Sequence, residues 1–90
     1  MSKDVSVIYS DHARKDLLKL DRVLARKIVL KIKDNSEQDD VLLRAKGLTG
    51  VLVGLFRYRI GDYRVIFEVN DGKVVVLTIL RIKHRKDVYR

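Results

Sequence analysis

Two short turn sequences in the second half of the chain constrain its fold more than any other feature. Gly61-Asp62 suits a two-residue type II′ turn, with glycine at the first central position, where φ is positive. Asn70-Asp71-Gly72 suits a three-residue loop in which Gly72 takes the left-handed position and forms a bulge. From Leu52 onward the two turns therefore divide the sequence into three consecutive antiparallel strands.

The first half of the chain predicts one strand followed by two helices. Residues 5–9 are typical of a first strand, and Ser10 or Asp11 then caps a short amphipathic helix. Asp21 can cap a longer helix over residues 22–34, whose apolar residues follow an i, i+4, i+8 spacing. The expected fold is α+β, a single domain over residues 1–90. Two N-terminal helices pack on one face of a mostly antiparallel twisted sheet of about four strands, in the order β-α-α-β-β-β.

The chain is short and lacks the residues that commonly reinforce small domains. It has 90 residues, no cysteine and two histidines, so neither a disulfide nor a thiolate zinc site can supplement the core. We therefore expect no metal and no other cofactor. The longest apolar run, Val74 to Leu80, is too short to cross a bilayer, and no secretion signal is evident. These features predict a cytoplasmic protein that is stabilised by packing and has no membrane partner.

The net charge of +8 points to a polyanionic partner. Lys and Arg on the helices are typical of an ordinary solvated surface. The last ten residues are different, because they contain five of the twenty Lys and Arg residues and only one acidic residue, Asp87. The C-terminal segment is therefore the stronger candidate for binding an anion.

The Gly61-Asp62 turn also fixes the register of the first hairpin. It places Ile60 opposite Tyr63, Arg59 opposite Arg64, Tyr58 opposite Val65 and Arg57 opposite Ile66. The face that the helices should cover carries the apolar residues Phe56, Tyr58, Ile60, Tyr63, Val65, Phe67, Val75, Leu77 and Ile79. The other face collects Arg57, Arg59 and Arg64, and on this face we expect the last strand to extend towards His84.

Folding alone does not favour this group of arginines. Like charges directly opposite each other destabilise a sheet, by a few tenths to about 1 kcal/mol for a cross-strand pair. Glu68 and solvent can relieve part of the repulsion. The preferred interpretation is a phosphate site, because guanidinium groups bind phosphate oxygens bidentately and can stabilise charge that develops during transesterification.

Three segments together resemble the type II toxins of the RelE/ParE superfamily, over nearly the whole chain. Ala13, Asp16-Leu17 and Lys19-Leu20 are similar to the first helix of that family. Leu48-Thr49-Gly50 and the run from Phe56 to Arg64 resemble its central hairpin, and the run from His84 to Tyr89 resembles its C-terminal motif. The resemblance implies a RelE-like mRNA interferase. Such an enzyme is a ribosome-dependent endoribonuclease that cleaves mRNA in the A site by metal-free attack of a 2′-hydroxyl and inhibits translation.

The resemblance also implies roles for individual residues. Arg57 and Arg64 match hairpin residues that contact or stabilise the phosphate, and His84 falls at an acid/base position. Tyr89 matches a tyrosine that stacks on a base or assists proton transfer. Leu55 stands where strongly RelE-like chains have a second catalytic lysine, so His84 or, more weakly, Glu68 is left as the base. The remaining RNA-binding candidates are Arg59, Arg81, Lys83, Arg85 and Lys86.

The implied partners are a cognate antitoxin that neutralises the toxin, the ribosome and mRNA, with operator DNA contacted through the antitoxin. Two other functions stay open. One is a ParE-like inhibitor of DNA gyrase, which has the same fold and generally lacks the acid/base pair. The other is a basic RNA-binding module without catalysis.

Overall fold

The computed structural model describes residues 4–87, and Tyr89 lies outside them. Its elements are β1 (Val5–Tyr9), α1 (Asp11–Leu18), α2 (Arg22–Ser36), β2 (Ala45–Gly47), a 3₁₀ turn (Gly50–Leu52), β3 (Phe56–Ile60), β4 (Tyr63–Asp71) and β5 (Val75–His84). Neither helix in this part of the chain has the length and hydrophobicity of a membrane span.

Both helices begin at the residues that the sequence indicates. The hydroxyl of Ser10 accepts a hydrogen bond from the Ala13 amide at 3.1 Å, and a carboxylate oxygen of Asp21 accepts one from the Leu24 amide at 3.1 Å. Of the two N-caps considered for α1, Ser10 is therefore the correct one. α2 ends two residues later than predicted, at Ser36.

The sheet has five strands in the order β1-β5-β4-β3-β2. β1 runs parallel to β5, whereas the other three pairs are antiparallel. The prediction of about four strands is one short, because β2 has only the three residues Ala-Lys-Gly and shows no alternation. β2 forms through its pairing with β3, in which Ala45 lies opposite Tyr58.

The first predicted turn is confirmed and the second is wrong. Gly61 has a φ of 58°, and every predicted pair of the first hairpin is observed. In the second hairpin Asp71 lies opposite Val75, so the loop consists of Gly72, Lys73 and Val74. The loop therefore begins two residues later than predicted, Gly72 is its first residue instead of its third, and Gly72 is not among the glycines with positive φ.

The core lies between the helices and the predicted apolar face of the sheet. Tyr58, Val65, Phe67, Leu77 and Ile79 are fully buried on this face, and Ile28 and Ile32 of α2 are buried against it. The assignment of the two faces is therefore confirmed for β3, β4 and the first part of β5.

The second part of β5 departs from the prediction because of a β-bulge. Ile66 lies opposite Arg81 but the next residue, Phe67, lies opposite Ile79, so Leu80 is an extra residue on β5. An extra residue reverses the alternation of side chains beyond it. As a result Ile82 is buried in the core, and His84 points to the helix side of the sheet. The expectation that β5 brings His84 to the arginine face is wrong.

Candidate nucleic-acid interface

The open face of the sheet, which the helices do not cover, carries two rows of basic side chains across the strands. We call Arg59, Arg64 and Lys83 the end row, because they lie next to the Gly61-Asp62 turn at the end of the sheet. We call Lys46, Arg57, Ile66 and Arg81 the inner row. Directly opposite residues have Cβ atoms about 5 Å apart, so neighbours within a row can contact one phosphate group.

Arg64 is the centre of the end row and is only 6% exposed. Arg59 flanks it on β3, and Lys83 flanks it on β5. Three cations in one row repel one another, and partial burial strengthens that repulsion because less water screens it. A bound anion would relieve it. The end row is therefore the strongest anion-binding candidate on this face.

The inner row contains one cation that already has a partner. The guanidinium of Arg81 turns towards α1 and donates to the carboxylate of Asp16, through Nε at 2.9 Å and Nη2 at 3.2 Å. This hydrogen bond raises the pKa of Arg81. The sequence predicts that Arg81 binds RNA, but its guanidinium would have to leave Asp16 to do so. Arg57, which is half-buried, and exposed Lys46 complete the basic part of the row.

His84 lies on the opposite side of the sheet from Arg64 and Lys83. Its ring packs edge-on against the ring of Tyr63, with centroids 5.3 Å apart and planes at 87°. Its Nδ1 accepts a hydrogen bond from the Lys86 amide at 3.2 Å, which leaves Nε2 as the protonated nitrogen of the neutral ring. The ring lines a cleft of about 340 Å³ that is also formed by Asp16 and Lys19.

The turn after β5 carries the other two basic candidates. Arg85 and Lys86 are both exposed, and the amide of Arg85 donates to the carbonyl of Asp62 at 2.7 Å. The carboxylate of Asp62 lies 3.8 Å from Nε of Arg85. These contacts hold the beginning of the basic C-terminal segment against the turn beside the end row.

The structure brings Arg57, Arg59, Arg64 and Lys83 together and separates His84 from them. Sequence reasoning assigned Lys83 to RNA binding but did not place it beside Arg64, and it did not single out Lys46. The apolar character of Ile82 was the one signal that could have placed Lys83 beside Arg64. It indicates that the alternation of buried and exposed side chains along β5 changes after Ile79. No signal indicated Lys46, because β2 is too short to recognise.

Comparison with known proteins identifies the family. The model of the ParE toxin of the type II toxin–antitoxin system parDE matches residues 7–89. The chain belongs to the RelE/ParE toxin superfamily. The toxin is also 37% identical over 86 residues to Toxin RelG of Mycobacterium tuberculosis, covering 94% of this chain and 95% of that protein.

Solved structures agree with the architecture. The toxin matches the crystal structure of the toxin–antitoxin complex RelBE2 from Mycobacterium tuberculosis with a TM-score of 0.73 and 28% identity, covering 94% of this chain and all of that one. It matches the archaeal RelE–RelB complex from Pyrococcus horikoshii with a TM-score of 0.66 and 32% identity, covering 98% of this chain and all of that one. The resemblance stated from the sequence is thus confirmed at the level of superfamily and fold.

Proposed function

We propose that the toxin is an endoribonuclease that cleaves mRNA in the ribosomal A site and thereby stops translation in the cytoplasm. The observation that carries this proposal is the end row, in which nearly buried Arg64 lies between Arg59 and Lys83. Such a row is suited to one phosphate of an RNA backbone, and the similarity to RelE-type toxins supports RNA as its source.

In the proposed reaction a ribose 2′-oxygen attacks the adjacent phosphorus while the bond from phosphorus to the 5′-oxygen breaks. The products are a 2′,3′-cyclic phosphate and a 5′-hydroxyl. One proton leaves the 2′-oxygen and another is delivered to the 5′-oxygen. Arg64 and Lys83 stabilise the charge that develops on the non-bridging oxygens, and Arg57 and Arg59 hold the adjoining backbone. The step uses no metal ion or cofactor.

His84 is proposed for proton transfer, and its position constrains where the RNA lies. Its ring is on the helix side, so it can reach a phosphate bound by Arg64 and Lys83 only around the end of the sheet. The scissile phosphate should therefore lie at the end row and not over the inner row. Arg85 and Lys86 then contact the flanking backbone. We propose base stacking or assistance in proton transfer for Tyr89, and we propose no direct RNA contact for Arg81 while Asp16 holds it.

Purified toxin with ribosomes and a defined message tests the proposal. We expect Arg64→Ala to lower the single-turnover cleavage rate by roughly 100-fold to 1,000-fold, the usual effect of removing one donor to a developing oxyanion. Arg26→Ala is the matched control, because Arg26 is an exposed arginine on α2, remote from the open face. RNA binding without cleavage by the wild-type toxin would establish the non-catalytic alternative. Unchanged cleavage by Arg64→Ala would show that the end row is not the site.

A second function, inhibition of DNA gyrase, is favoured by the ParE description of the matching family model. The two functions predict different first effects after the toxin is induced. Loss of protein synthesis before DNA replication supports the ribonuclease. Loss of replication first, with message intact, supports the gyrase inhibitor.

We also propose a cognate antitoxin as the protein partner, with operator DNA contacted through it. The matching structures from Mycobacterium tuberculosis and Pyrococcus horikoshii are toxin–antitoxin complexes. An acidic or amphipathic antitoxin segment laid over the helices and across the two basic rows would neutralise the toxin by covering the end row. Affinity should then fall as salt is raised from about 0.1 M to about 1 M. Constant affinity over that range would contradict electrostatic capture.

A further inference from the structure

The second part of β5 loses its strand neighbour on one side. β1 ends at Tyr9, which lies opposite Ile79. Ser10 then closes this part of the sheet, donating from its amide to the Ile79 carbonyl at 2.9 Å and from its hydroxyl to the Leu80 carbonyl at 3.0 Å. Residues 81–84 continue to pair with β4 but extend past the end of β1, so their outer edge needs another source of hydrogen bonds.

Asp16 of α1 takes the place of the missing strand. One carboxylate oxygen accepts from the Ile82 amide at 2.9 Å and from Nε of Arg81 at 2.9 Å, and the other accepts from Nη2 of Arg81 at 3.2 Å. Asp16 is 9% exposed. Burial alone would raise its pKa, but the bonds from Arg81 and from the Ile82 amide outweigh burial and lower the pKa. Asp16 is therefore ionised near neutral pH.

We propose that Asp16 is a positioning residue for RNA cleavage, holding residues 81–84 of β5 so that Lys83 lies beside Arg64 and His84 lies against Tyr63. The inference rests on the proposed function. It follows from the contacts, because Asp16 binds the backbone of the residue directly before Lys83 and the side chain of the residue before that. A shift of about 1 Å in a reacting geometry can cost about 100-fold in rate.

The informative variant is Asp16→Asn, which keeps the shape and one possible acceptor for the Ile82 amide but loses the charge that binds Arg81. Asp34→Asn is the matched control. Asp34 also forms an ion pair with an arginine at 2.9 Å, to Arg44, but both side chains are about half exposed, and Arg44 directly precedes β2, the edge strand that is three places from β5 in the sheet. Exposed pairs of this kind contribute little to stability.

We expect Asp16→Asn to lower the single-turnover cleavage rate by roughly 10-fold to 100-fold, while ribosome binding stays unchanged because the basic side chains are all retained. Amide hydrogen exchange should accelerate at Ile82 and Lys83 in the variant by clearly more than at Leu77 and Phe67, whose exchange should change only by the loss in overall stability. Asp34→Asn should change neither the rate nor the exchange at these positions. A role limited to overall stability would instead accelerate exchange by the same factor at Ile82, Lys83, Leu77 and Phe67 and leave the rate per folded molecule unchanged.

Two outcomes would overturn the inference. One is unaltered exchange at Ile82 and Lys83 in Asp16→Asn, which would show that Asp16 does not hold the strand. The other is accelerated exchange with normal cleavage, which would show that holding the strand does not matter for the reaction. If the wild-type toxin cleaves no message, the proposed function fails and the positioning role fails with it. The exchange measurement then still reports separately whether Asp16 holds β5.

Discussion

The two halves of β5 have the same partner on one side and different partners on the other. Residues 75–79 lie between β1 and β4, and every second side chain is buried in the core. Residues 81–84 lie between β4 and the carboxylate of Asp16, and their alternation is reversed by the extra residue Leu80. The first half is built as a central strand, whereas the second half is an edge that a helix side chain completes.

This difference explains how one strand serves both the core and a basic face. Without the bulge, Lys83 would point to the helices and His84 to the arginines. With it, Ile82 reaches the core and Lys83 joins Arg64. Bulges are common beside functional sites because they redirect side chains. We therefore expect substitutions of the buried residues Val75, Leu77 and Ile79 to change stability, and substitutions of Lys83 and His84 to change activity.

The largest expected effect is on stability, from Leu77→Ala in the first half. Leu77 is fully buried, and removing a buried leucine side chain costs about 2–5 kcal/mol. A domain of this size has little stability in reserve. Urea unfolding measures the loss, and cleavage per folded molecule should be normal. A large fall in cleavage per folded molecule would show that the first half of β5 also contributes to activity, which would contradict the proposed difference between the two halves of the strand.

Lys83→Ala in the second half should have the reverse effect. We expect the cleavage rate to fall by roughly 100-fold or more, because a cation beside Arg64 is lost. Stability should be unchanged or slightly higher, since one repulsive charge leaves the end row. Lys73→Ala is the control, an exposed lysine in the β4–β5 loop. If Lys83→Ala cleaves normally and His84→Gln does not, the catalytic groups lie on the helix side.

How far the sequence predicts this molecule depends on whether local residues decide each feature. The register of β3 with β4 was predictable because Gly61 determines it, and both helix caps were predictable from Ser10 and Asp21. β2 was not predictable, because only its pairing with β3 makes it a strand. The face of His84 was assigned wrongly for a similar reason, since the bulge depends on how β5 fits β4 and α1.

The two turns at either end of β4 should respond differently to alanine. Gly61 has a left-handed φ of 58°, so Gly61→Ala should cost about 1–2 kcal/mol. Gly72 has an ordinary φ, and an added Cβ would make only a normal contact of 3.8 Å with the Val74 carbonyl. Gly72→Ala should therefore be neutral or stabilising by up to about 1 kcal/mol. Thermal unfolding compares the stability of the two variants. An equal loss of stability in both would indicate that Gly72 also has a left-handed conformation, as the sequence predicted.

The smallest expected effect is the pH dependence of the Asp16 contact. The pKa of Asp16 is lowered in the folded state from its ordinary value of 3.8, so its ionised form binds Arg81 and Ile82 better than its protonated form does. The resulting stabilisation is complete above the unfolded pKa and is lost as the pH falls through the lower folded pKa.

Urea unfolding of wild type and Asp16→Asn between about pH 7 and pH 3 measures this contribution. The difference in unfolding free energy between the two proteins should be constant near neutrality and shrink below about pH 4, because asparagine does not titrate. A difference that stays the same down to pH 3 would mean that the charge of Asp16 does not stabilise the fold. Its effect on residues 81–84 would then come from the shape of the side chain alone.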